Sequence, residues 1–285
     1  MPPLQAEARR ILVFDSGLGG LTVARALRRH AGGRARLDYA ADFAGFPYGD
    51  WPEADLRQRL LMLLGRLIER AAPEAVVIAC NTASTVALED LRRTFPVPFV
   101  GTVPAIKPAA SLTQSGVIGV LATPGTVRRE YTERLIHTFA WHRRVVRHGA
   151  PNLAALAERK LRGAPLQMEA LRREIAPVFV EEDGRRTDVV VLGCTHYPLL
   201  LPELEQAAPW PVHYLDPADA IARQTLRVAG LAEAPEEDTT MGHAYVTGMA
   251  AGWTAEELEA VLHREGFALQ APLTMPAPAA HPANG

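Results

Sequence analysis

Asp188-Val189-Val190-Val191-Leu192-Gly193-Cys194-Thr195-His196-Tyr197-Pro198 decides how this chain folds. Four large apolar residues in a row, three of them β-branched, predict a strand buried on both faces, the kind found in parallel sheets. The run gives way to a small residue, a thiol, a hydroxyl and an imidazole before Pro198 stops it. Open α/β sheets bind ligands in the crevice beyond the carboxyl ends of their strands, so Cys194 and His196 are expected to project into one. Ala75-Val76-Val77-Ile78-Ala79-Cys80-Asn81-Thr82-Ala83-Ser84 repeats the plan. These two stretches hold the chain's two cysteines, in matching places. The expectation is one site built from two related halves, with a thiol on each side.

The duplication extends to a second pair of strands. Ile11-Leu12-Val13-Phe14 opens onto Asp15-Ser16-Gly17-Leu18-Gly19-Gly20, and Val117-Ile118-Gly119-Val120-Leu121 opens onto Ala122-Thr123-Pro124-Gly125-Thr126. Ser16 lies 107 positions before Thr123 and Cys80 lies 114 before Cys194, which reads as an internal repeat carried by strand-end chemistry. Further strands are predicted at 37–42, 99–101, 143–147 and 212–215. Helical spacing predicts helices over 21–30, 53–72, 82–94, 127–139, 151–161, 166–182, 199–207 and 217–228. Pro98 and Pro104 mark a crossing between two parts. A strand at 244–247 and a helix at 255–263 remain, so the helix over 217–228 is expected to lead the chain back onto the first part. Prolines and alanines from Ala271 onward predict a disordered tail.

With 285 residues and 48% apolar content, the chain can bury the core of one or two soluble domains. A net charge of -2 gives no reason to expect nucleic acid or an anionic membrane as a partner. No apolar run reaches the ~18 residues of a membrane span, and the opening residues are too short and mixed for a secretory signal. Two cysteines without such a signal point to free thiols and a cytoplasmic protein. Lys107 and Lys160 are the only lysines, and neither sits at a strand end, which leaves Schiff-base chemistry few candidates. The self-assembly expected is a homodimer.

A dinucleotide fingerprint fits poorly, because Gly17-x-Gly19 is followed by Thr22 where a third glycine belongs. Asp15 and Ser16, ahead of a helix N-terminus, are better read as ligand contacts, with backbone amides there able to hold a carboxylate. A lone strand cysteine is ordinarily a small buried hydrophobe, but here two recur beside polar groups. At a helix N-terminus a thiol is expected to ionise below the ~8.5 of free cysteine. Zinc held by Cys80, Cys194 and His196 is one rival, although the close cysteine pairs of structural zinc sites are absent. A cysteine nucleophile activated by His196 is another, and it leaves the second thiol without a task. Two thiols across a small ligand suit inversion of a stereocentre: one removes a proton from one face and the other returns one to the opposite face. Asp15, Glu158 and His196 would tune and relay those protons. By itself Glu158 reads as a solvated helix charge, and Tyr48, in a turn, packs as readily as it binds.

Six segments then carry a resemblance. Phe14-Asp15-Ser16-Gly17-Leu18-Gly19-Gly20-Leu21, Pro47-Tyr48-Gly49, Ala79-Cys80-Asn81-Thr82-Ala83-Ser84, Val103-Pro104-Ala105-Ile106-Lys107-Pro108, Ala122-Thr123-Pro124-Gly125-Thr126-Val127 and Gly193-Cys194-Thr195-His196-Tyr197-Pro198 resemble, in order, the motifs of the cofactor-independent aspartate/glutamate racemase family. They span about residues 11–230. The resemblance implies interconversion of L- and D-glutamate without cofactor or metal. It also implies supply of D-glutamate for peptidoglycan, hence cell-wall biogenesis and cell shape. The implied fold is α/β: two pseudo-symmetric, doubly wound domains with mostly parallel sheets and the active site in the cleft between them. Residues 10–103 plus 216–265 would form the first domain, 104–215 the second, and 266–285 a disordered tail. By the family pattern Cys80 serves D-glutamate as base and Cys194 serves L-glutamate. Asp15 assists Cys80, while His196 and Glu158 assist Cys194. Asp15, Ser16, Tyr48, Gly49, Asn81, Thr82, Thr123, Thr195 and His196 match positions that bind substrate. The chain departs from the pattern at Gly149-Ala150-Pro151, where members commonly place a cysteine before the proline, and at Asp50-Trp51-Pro52. An aspartate racemase is the nearest alternative, and a non-catalytic amino-acid-binding protein is the alternative from another class.

Overall fold

Strands and helices alternate from the start in the computed structural model, which describes residues 8–234, 240–249 and 252–274. The first part runs β1 (Arg9–Asp15), α1 (Leu21–Ala31), β2 (Ala35–Ala41), α2 (Glu53–Ala71), β3 (Ala75–Ile78), α3 (Asn81–Thr94), β4 (Phe99–Gly101). The second runs α4 (Ile106–Leu112), β5 (Val117–Ala122), α5 (Pro124–Arg128), α6 (Glu130–Phe139), β6 (Arg144–Gly149), α7 (Leu153–Leu161) and α8 (Met168–Ile175). It continues through a small hairpin of β7 (Glu181–Glu182) and β8 (Arg185–Arg186) to β9 (Val189–Gly193), α9 (Leu201–Ala207) and β10 (His213–Leu215). The chain closes with α10 (Ala218–Val228), β11 (Gly242–Val246), α11 (Ala255–Arg264) and β12 (Phe267–Leu269).

Two parallel sheets organise these elements. One has six strands in the order β12-β11-β2-β1-β3-β4, the other four in the order β10-β9-β5-β6. The order β2-β1-β3-β4 in the first recurs as β6-β5-β9-β10 in the second. Ser16 after β1 therefore corresponds to Thr123 after β5, and Cys80 after β3 to Cys194 after β9. The internal repeat is a repeat of topology.

Helices cover both faces, which is why the central strands read as unbroken apolar runs. On β1, Ile11 and Val13 pack with Leu27 of α1 and Ile221 of α10, while Leu12 and Phe14 pack with Leu60 and Leu64 of α2. On β9, Val190 and Leu192 join Leu156 and Leu171, while Val189 and Val191 join Ile106 and Ala109 of α4. The shared core of α1 and α10 brings the chain back to the six-stranded sheet, where β11 pairs with β2.

Three expectations need correction. The helix over 127–139 breaks at Arg129, whose backbone is extended (φ -73°, ψ 138°), giving α5 and α6. The helix over 166–182 stops at Ile175, where Pro177 enters a 3-10 turn before the β7–β8 hairpin. The tail expected from residue 266 begins too early. Phe267 is buried, β12 pairs with β11, and Leu273 N donates to Val246 O at 2.8 Å. Phe267 is held beside Tyr39 (ring centroids 5.5 Å apart), which keeps this segment in the fold. The tail expected over 275–285 lies outside the described residues.

Candidate active site

The carboxyl ends of β1, β3, β5 and β9 meet at one cavity. Ser16, Tyr48, Gly49, Cys80, Asn81, Thr82, Thr123, Cys194, Thr195 and His196 line it, together with Phe46, Pro47, Ala154 and Gly193. Its free volume is about 20 Å³, enough for little more than one water molecule. Asp15 and Glu158 stand behind this lining and bond to the groups that form it.

Cys80 caps α3: its sulfur accepts from Ala83 N at 3.5 Å, and its thiol donates to Ser16 Oγ at 3.8 Å. The helix terminus does not produce the acidic thiol expected from sequence. Burial pushes the Cys80 pKa up and the Asp15 carboxylate adds to it, outweighing the Ala83 amide and leaving the thiol at about 12. Asp15 accepts from Gly17 N at 3.1 Å and from Thr195 Oγ1 at 3.0 Å, so a carboxylate of the first sheet is held by a hydroxyl of the second.

Cys194 has different company. Its sulfur lies 3.9 Å from His196 Nδ1, and His196 Nε2 lies 2.9 Å from Glu158 Oε1. Burial lowers the His196 pKa, but bonding to Cys194 and Glu158 and the charge of Asp15 raise it further, leaving it well above the usual imidazole value. A protonated ring donates Nε2–H to Glu158 and Nδ1–H towards the sulfur. Gly19 N also lies 3.2 Å from Nε2, close against the ring. Glu158, only 7% exposed, is fixed from the other sheet by Leu18 N at 2.8 Å. Its reading as a solvated charge is thereby corrected. A Cβ on Gly19 would lie 2.4 Å from His196 Nδ1, so glycine is required for this approach.

Other polar groups wait inside. Both polar atoms of the Asn81 side chain and Glu158 Oε2 are buried without a hydrogen-bond partner. Such groups are costly unless a ligand completes them. Thr82 Oγ1, Thr123 Oγ1 and Thr126 Oγ1 form a triangle with sides of 3.0–3.2 Å that ties α3 to the start of α5. Sequence reasoning quoted Thr126 in a motif but gave it no task. It also passed over Phe46, whose ring lies 5.4 Å from that of His196. The Tyr48 hydroxyl turns away from the cavity and donates to Asp42 Oδ2, so what this residue offers a ligand is its ring and backbone. Among the described residues no three His, Cys, Asp or Glu are grouped as a metal would require.

Comparison with known proteins adds an independent line. The profile of the Asp/Glu/Hydantoin racemase family matches residues 22–225. A glutamate racemase of Brucella anthropi is 56% identical over 238 residues, covering 83% of this chain and 85% of that protein. A glutamate racemase of Brucella canis is 57% identical over 223 residues, 78% of this chain and 80% of that one. The structure of Escherichia coli glutamate racemase, in complex with L-glutamate and the activator UDP-MurNAc-Ala, has a TM-score of 0.82 to this one. It is 40% identical, with 94% of this chain and 98% of that chain covered. The chain belongs to the Asp/Glu/hydantoin racemase family and is an isomerase of the racemase class.

Proposed function

We propose that the chain interconverts L- and D-glutamate by a two-base, two-thiol mechanism and so supplies D-glutamate for peptidoglycan. The observation that carries this reading is the pair of thiols at corresponding strand ends, lining one cavity from two sheets. The two sheets serve as cores of two domains, residues 10–103 with the segment from 216 through β12, and residues 104–215. Glutamate is favoured over aspartate by the relatives, which are glutamate racemases at more than half identity.

From L-glutamate, the Cys194 thiolate, paired with the His196 imidazolium, takes the α-proton: the C–H bond breaks and an S–H bond forms. The Cys80 thiol, held protonated by burial and Asp15, gives its proton to the opposite face, and D-glutamate results. The reverse reaction starts with Cys80 as thiolate and Cys194 as thiol. Glu158 orients the imidazole through Nε2. Asn81, Thr82, Thr123, Thr195 and the backbone at Tyr48 and Gly49 hold the carboxylates and ammonium, which fixes the α-carbon between the sulfurs. Ser16 steadies the Cys80 sulfur.

The test uses a brief reaction in deuterated water from either enantiomer, with no added cofactor. Product should carry deuterium at the α-carbon while recovered substrate stays protiated, because each face has its own proton carrier. Cys80→Ala and Cys194→Ala should each abolish turnover in both directions. A folded variant lacking one thiol that still racemises glutamate at a near-normal rate would end the reading.

A further inference from the structure

Asp42 follows β2 and is fully buried, as is most of the Arg59 side chain reaching it from α2. Arg59 Nε donates to Asp42 Oδ2 and Nη2 to Oδ1, each at 2.6 Å. Tyr48 donates to Oδ2, and Thr247, just beyond β11, donates to Oδ1. Four donors thus fill the lone pairs of one carboxylate. Burial, then the Asp42 charge, pushes the Tyr48 hydroxyl well above its ordinary pKa, so it stays a donor. A buried ion pair is weak evidence for net stability, which directs attention to what it holds in place.

What it holds is one wall of the cavity. Tyr48 and Gly49 line that cavity, and Phe46 packs beside His196. The same arginine stands over the Trp51 ring at 5.5 Å, while Trp51 Nε1 donates to Gly45 O at 2.9 Å. A Cβ on Gly45 would lie 2.7 Å from Asp42 Oδ2 and 2.8 Å from Arg59 Nε. Turn and ion pair are therefore packed as one body. On the far side, a Cβ on Gly125 would stand 2.5 Å from Gly49 O, so the wall also abuts the start of α5.

We propose that Asp42 and Arg59 are positioning residues for this reaction: their buried pair, acting through the Tyr48 hydroxyl, sets the wall formed by residues 46–49 against which glutamate is held. The inference rests on the glutamate racemase reading. The wall serves both enantiomers and touches no moving proton, so loosening it weakens binding of substrate and transition state together. Tyr48→Phe carries the test, because it removes one oxygen and leaves the ion pair whole. Arg59→Lys keeps the charge but loses the fork, and the double variant Asp42→Asn/Arg59→Met removes both charges. Folding is checked by circular dichroism, and KM and kcat are measured from D- and from L-glutamate. Tyr48→Phe and the double variant should raise KM roughly tenfold in both directions, about the worth of a hydrogen bond to a charged group, with little change in kcat. Arg59→Lys should fall between them and the unaltered chain. Folded variants with unchanged KM, or a fall in kcat at constant KM, overturn the positioning role. Inactivity of the unaltered chain on glutamate overturns the underlying reading as well, so the two failures are told apart.

Discussion

Cys80 and Cys194 occupy equivalent strand ends in unlike electrostatic surroundings. Cys80 has apolar burial and a carboxylate, while Cys194 has an imidazole 3.9 Å away. On the two-thiol reading this primes the site for L-glutamate, with Cys80 as the waiting proton donor. The difference can be titrated. In a Cys194→Ala variant the one remaining thiol should still titrate above 9.0, and a transition at or below 9.0 would contradict the assigned surroundings. The sign for stability follows. A thiol whose pKa is raised by folding stabilises the fold below 9.0, and that contribution is lost as pH rises towards 12.

At the scale of elements, β9 shows how a strand is set before it delivers its chemistry. Asp188, immediately ahead of it, accepts from Thr113 Oγ1 at 2.6 Å, Gln114 N at 2.7 Å and Ser115 N at 2.8 Å, anchoring the strand to the turn before β5. Burial raises the Asp188 pKa, but these bonds lower it further, leaving it below 3.8. Asp188→Asn should cost about 1–3 kcal/mol in chemical unfolding at neutral pH. The gap to the unaltered chain should close as pH falls through the lowered pKa, since the ionised carboxylate makes the difference. A gap independent of pH would contradict this. The strands themselves were legible, because burial on both faces writes Val76-Val77-Ile78 and Val189-Val190-Val191 as uninterrupted apolar runs. So were the residues at their ends. The rest depends on tertiary partners. Nothing local announces the break at Arg129, the burial of Glu158 against Leu18, or the pairing of Asp42 with an arginine seventeen positions on. The strand at Phe267 was hidden because Phe267-Ala268-Leu269 is too short to read as an element without its partner β11.

At the scale of the molecule, the two sheets are expected to part as glutamate enters the cavity they line. Leu18 N–H, bonded to Glu158 across the cleft, reports that opening. Its hydrogen exchange should slow when D-glutamate saturates the site, as mass spectrometry of the Gly17–Gly20 peptide would show. Exchange indifferent to glutamate would mean that entry follows another route. The matched strand orders carry a consequence for symmetry. A chain of L-residues contains no mirror plane, so its two like halves are related by rotation, whereas the enantiomers of glutamate are reflections. Rotation suffices to set one sulfur on each side of the α-carbon. It cannot make the surroundings of the carboxylates alike for both enantiomers. L- and D-glutamate have equal free energies in water, so kcat/KM must be the same in both directions. The unlike surroundings therefore surface as KM and kcat values that differ between the enantiomers by one common factor.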